Sequence, residues 1–180
     1  MRDKIMKDWF LKGETAKNKE NYFEAFIYLW ISWVIGCKIF ISYNIYRDYS
    51  KNNNYTDRND ILDWCNYNAG LVAEIIKQNH SSLFYLGSRK GNKHGNPIID
   101  ARKPLSNYFY TLQKYFNSEF QYKDDKELAL HFGELLNKIR NNLFHGDKTY
   151  NAKSDLELIK SVLPVLYSLA KDTIEYSNGI

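Results

Sequence analysis

The run AFIYLWISWVIGCKIFI, Ala25 to Ile41, carries one charged residue, Lys38. It is apolar on every side, and about 17 residues is the shortest length that spans a bilayer. Such a segment has two stable destinations, a membrane or the centre of a helical bundle, because it offers water no polar stripe. Ser32, Gly36 and Lys38 interrupt the run, and Asn21 and Glu24 adjoin it. Trp30 and Trp33 fall in its middle, away from the ends where interfacial tryptophans sit. These features assign it to the central helix of a bundle, with no membrane partner.

The rest of the chain agrees with long helices. Three Pro and nine Gly in 180 residues leave little turn punctuation. At 44% hydrophobic the chain can bury a core, and its length suits a single domain over residues 1–180. Cys37 and Cys65 both lie inside apolar helical patterns and read as core thiols, so no disulfide framework is expected. That fits a reducing cytoplasm. The N-terminal stretch MRDKIMKDWFLKGE mixes charge with apolar residues and reads as no cleavable signal. A formal charge of +4 is compatible with a polyanionic partner without demanding one.

Periodicity predicts an all-α bundle of about five or six helices. The first covers about Ile5–Lys19, with Ile5, Trp9, Phe10 and Ala16 inward, and the central helix covers about Tyr22–Tyr46. The polar stretch DYSKNNNYTDRND reads as a loop. A helix then carries Ile61 to Ile76, capped by Asp57 or Asn59. The segment from about residue 80 to 104 reads as irregular and basic, with Arg89, Lys90, Lys93, His94, Arg102 and Lys103. It is either a solvated loop or a flap over a phosphate backbone. Its glycines match no phosphate-cradling fingerprint. An aromatic helix over about Leu105–Phe120 precedes one from Asp124 or Asp125 to His145, stopped by Gly146. The last helix opens on a capping box, Ser154 to Glu157, and Pro164 is expected to kink it.

The helix ending at His145 concentrates the chemistry. Leu128, Phe132, Leu135, Leu136, Ile139 and Leu143 form one apolar stripe. Arg140 lies near an edge of it. Asn141 and His145, four apart, share the opposite face, so Arg140 and His145 diverge on an ideal helix. Either the helix distorts at its end, or two copies meet across a two-fold axis. Histidine moves protons near neutral pH, arginine offers a permanent planar cation, and asparagine orients hydroxyl or phosphate groups. Together they resemble the minimal kit for metal-free RNA cleavage by 2′-hydroxyl attack, with the cation stabilising phosphoryl charge. The same residues also suit a plain helix end, because the helix dipole favours histidine there.

Arg140-Asn141-Asn142-Leu143-Phe144-His145 resembles the R-x(4–6)-H signature of HEPN domains, and Gly146 follows as in their ribonuclease-like members. The resemblance implies an α-helical HEPN-like bundle that forms a homodimer and joins both copies of Arg140 and His145 in one cleft. It implies a metal-independent endoribonuclease that leaves a 2′,3′-cyclic phosphate and a 5′-hydroxyl. Such members serve toxin–antitoxin, abortive-infection and CRISPR-linked defence. Carried over, Arg140 and His145 are catalytic and Asn141 supports them. Lys138, Asn142, Lys148, Arg89, Lys90 and Lys93 are the residues expected to meet RNA. No cofactor or metal is expected, and any antitoxin or regulator is a separate protein. Other HEPN proteins bind RNA, nucleotide or a partner protein without cleavage, which is the alternative. His80, His94 and His131 show no metal-ligand spacing. His131 stands fourteen residues before His145, about 21 Å along a helix axis.

Overall fold

The computed structural model describes residues 2–45, 56–88, 107–144 and 153–179. Among them the fold is all-α, with eight helices and no strand. In chain order these are α1 (Arg2–Asn18), α2 (Tyr22–Asn44), α3 (Asp57–Tyr67), α4 (Ala69–Gln78), α5 (His80–Ser88), α6 (Asn107–Phe116), α7 (Asp125–Phe144) and α8 (Lys153–Asn178). They fall into two compact units. The first holds residues 1–68 and 163–180, and the second holds 69–162.

The first unit is organised by α2. Phe26, Leu29, Trp33, Cys37 and Ile41 are fully or almost fully removed from solvent. Each side chain of Leu or Phe size buried this way contributes about 1.5–3 kcal/mol. Trp33 meets Trp30 and Trp64 edge to face, with ring centroids 5.6 and 5.8 Å apart. The polar interruptions have partners. Ser32 donates to the Met6 carbonyl of α1 at 3.0 Å, and Lys38 pairs with Asp57 of α3 at 2.7 Å. Gly36 is where α2 meets α8, because a Cβ there would collide with the stiff Cβ and Oγ1 of Thr173. By length and composition α2 is also apolar enough to cross a membrane, and 67% of its most apolar window is buried against protein.

The second unit packs α7 against α4 and α6, and α5 against α6. Leu128, Phe132, Leu135, Leu136 and Ile139 are buried as the stripe predicted, and Ala129 joins them; Leu143 is only half-buried. Phe132 meets Phe116 of α6 edge to face at 6.4 Å.

Among the described residues eight helices stand where five or six were expected, for local reasons. The helix read through Ile61–Ile76 is broken at Asn68, whose backbone leaves helical values (φ −106°, ψ 31°) and whose side-chain amide donates to the Trp64 carbonyl, capping α3. The α3 cap is Thr56, not Asp57 or Asn59; its hydroxyl accepts from the Asn59 N–H at 3.3 Å. Residues 80–88, expected to be irregular, form α5 and bury Leu83 and Leu86. The aromatic helix stops at Phe116, short of Phe120, because Ser118 takes a left-handed backbone (φ 61°) and Glu119 N–H reaches back to the Lys114 carbonyl. In α1 the buried face is Met6, Phe10, Gly13 and Ala16, while Ile5 is 44% exposed. Helix α8 begins at Lys153, so Ser154 lies inside it, and Glu157 pairs with Lys160 at 3.5 Å. Pro164 sits within α8 without ending it.

Two glycines test this packing. Gly36→Ala is expected to cost about 1–3 kcal/mol, since the new methyl has no free volume. Gly70→Ala, with open space at its Cβ, should be neutral or stabilise by up to about 1 kcal/mol through helix propensity. Thermal unfolding of both variants checks the contrast, and equal midpoints would refute the close approach of α2 and α8.

Candidate functional site

Helix α7 carries the candidate residues at its C-terminal end. Asp124 starts it by accepting the Lys126 N–H at 2.8 Å, and Glu127 in the first turn complements the helix dipole. The buried stripe then fixes the helix's rotation, and with it the direction in which residues 138–141 leave the core. Lys138, Arg140 and Asn141 are all half-buried.

Arg140 Nη1 donates to Asn141 Oδ1 at 2.9 Å. Adjacent residues on a helix do not ordinarily face each other, being separated by about 100°. The guanidinium therefore reaches sideways to its neighbour's side of the helix. The bond joins the guanidinium to the Asn141 side chain; the divergence of Arg140 from His145 expected of an ideal helix involves a residue outside the described ones.

His145 itself lies outside the described residues, as do Lys148, Arg89, Lys90 and Lys93 and the side chain of Asn142. The structure thus brings Arg140 and Asn141 together and places Lys138 one turn before Asn141. Among the described residues, no group of three or more His, Cys, Asp or Glu is arranged to hold a metal ion. A groove of about 350 Å³ in the first unit is lined by Arg2, Asp3, Ile39, Ser42 and Tyr43, none of them a candidate residue.

His131 proves to have a partner that its sequence spacing did not reveal. The Tyr122 hydroxyl lies 2.8 Å from His131 Nδ1, and the two rings meet edge to face at 5.6 Å. Tyr122 also meets Tyr115, which meets His80. Nothing in a linear reading joins residues 80, 115, 122 and 131, because α5, α6, the α6–α7 connection and α7 each supply one. Burial lowers the pKa of His131, against the raising effect of Glu127 and Glu134, and burial pushes the Tyr122 hydroxyl up.

No protein-family model matches the chain, and no curated protein or solved structure is significantly similar to it.

The His131 shift has a definite sign. With its folded-state pKa depressed, the unfolded chain takes up the proton first as pH falls, so acid favours unfolding. Stability should fall as pH drops below about 6.5, the ordinary histidine value, until the folded-state pKa is passed. His131→Gln should flatten that part of the profile. Urea unfolding of wild type and variant at pH 7 and pH 5 measures the difference, and parallel losses would exclude His131 as a contributor.

Proposed function

We propose that this chain is a metal-independent endoribonuclease of HEPN type. It would act on RNA as a homodimer in the cytoplasm, within a toxin–antitoxin, abortive-infection or related prokaryotic defence system under a separate antitoxin or regulator. The observation that carries the reading is the Arg140–Asn141 hydrogen bond in the last turns of α7, with Asn141 four residues before His145 in sequence. A cation held by its neighbour is preorganised for phosphoryl oxygens, and its motion is restricted before substrate arrives.

In this reading His145 takes the proton from a ribose 2′-hydroxyl, and the oxygen attacks the adjacent phosphorus. Arg140 stabilises the charge that grows on the non-bridging oxygens. The bond to the 5′-oxygen breaks, leaving a 2′,3′-cyclic phosphate and a 5′-hydroxyl. Asn141 keeps the guanidinium aimed. Lys138 and Lys148 with Asn142, and Arg89, Lys90 and Lys93, supply contacts along the RNA backbone. The dimer brings a second Arg140 and His145 to the cleft.

Labelled RNA incubated with purified protein in EDTA should be cut, leaving cyclic-phosphate ends. His145→Ala should lose about 10²–10⁴-fold in rate if His145 transfers the proton. Asn141→Ala should lose less, because Arg140 remains present but is no longer held. Intact RNA with wild type over a broad panel of substrates, or undiminished cutting by His145→Ala, would overturn the proposal.

A further inference from the structure

Two thiols in the first unit play no part in this chemistry. Cys37 of α2 and Cys65 of α3 are both wholly buried. Cys37 shares a face of α2 with Trp33 and Phe40, four residues behind and three ahead. Trp33 meets Trp64 of α3 at 5.8 Å, and Phe40 meets Tyr67 of α3 at 5.0 Å. The two ring contacts bracket Cys37 along α2 and Cys65 along α3, so both thiols occupy the same stretch of the α2–α3 seam. Their electrostatics agree. Burial raises the Cys37 thiol pKa most, the neighbouring Cys65 raises it further, and Asp60 adds to it; burial raises Cys65 as well. Among the described residues no metal-binding group of His, Cys, Asp or Glu includes them.

We propose that Cys37 and Cys65 form a guarded dithiol that closes to an intramolecular disulfide across the α2–α3 seam when that seam opens. Closed, the seam keeps water and oxidants from both sulfurs, and neither is a ready thiolate. Opening exposes one thiol first, since local separation of packed helices precedes global unfolding. An electrophilic azo or disulfide oxidant then forms an adduct with that sulfur. The second thiolate displaces it, forming the S–S bond; two electrons and two protons pass to the oxidant. The product ties α2 to α3 covalently, as a reversible lock. This inference is independent of the ribonuclease reading.

The test uses the whole chain with diamide, an azo oxidant that is reduced to the hydrazine, in buffer and at urea concentrations below the unfolding midpoint. Peptide mapping without reductant should show a Cys37–Cys65 link with the loss of two hydrogens in a monomeric chain. The link should form faster as urea rises within the folded range. The thermal midpoint should rise by several degrees and return after dithiothreitol, because a cross-link restricts the unfolded chain. Dimers linked between chains, stable single-thiol adducts in place of the link, or an unchanged midpoint in fully linked protein would each overturn the proposal. Wild-type protein alone decides the matter, so a folding defect in a cysteine variant cannot obscure it.

Discussion

A helix that is apolar all round must be enclosed, and in the first unit that requirement governs everything near α2. Enclosure demands neighbours on every side at short range. At Gly36 the absence of a side chain lets α8 approach until Thr173 occupies the space a Cβ would take. The one charge on the run, Lys38, is kept at the edge of the enclosed region by Asp57, with both side chains still partly wet. A pair in that setting contributes little net stability, about 0–1 kcal/mol, but it removes the cost of leaving the ammonium unmatched beside a core. Ser32 solves the same problem with a single hydrogen bond to α1. The aromatic content has a role here too: Trp30, Trp33 and Trp64 fill large volumes with edge-to-face contacts that smaller residues would leave partly empty.

The second unit meets a different constraint. Helix α7 is amphipathic, so its buried stripe sets its rotation and leaves the opposite side free to carry polar residues. Mutations in the stripe would therefore act on the candidate residues indirectly, through rotation or displacement of the helix. The Tyr115–Tyr122–His131 contacts brace the start of α7 rather than its end, where Arg140 and Asn141 lie.

What could be read in advance follows the range of the interactions involved. The all-helical class, the burial of α2 and the stripe of α7 depend on periodicity and composition, which are local, and each is present in the structure. The break at Asn68 was hidden because apolar spacing continues across it; the helix ends where the Asn68 backbone leaves helical values (φ −106°, ψ 31°) and its side-chain amide takes the Trp64 carbonyl. Ile5 and Met6 are adjacent apolar residues, and nothing local decides which faces inward; the position of α2 chooses Met6. Residues 80–88 lack strong periodicity and take helical form while burying Leu83 and Leu86. The Arg140–Asn141 bond was likewise invisible, since a register diagram gives azimuths of Cβ atoms and not the reach of a long guanidinium.

In the proposed dimeric nuclease, the end of α7 would serve as half of a site. Arginine's side chain is long enough to cross one residue's width of helix surface, and its fixed fork keeps further donors available when one is engaged. Holding Nη1 on Asn141 therefore does two things at once. It restricts the motion of the guanidinium, and under the proposed function it would lower the conformational entropy still to be lost when a phosphate binds. A lysine at position 140 would carry the charge without the fork, so it could not hold a neighbour and present a planar edge together.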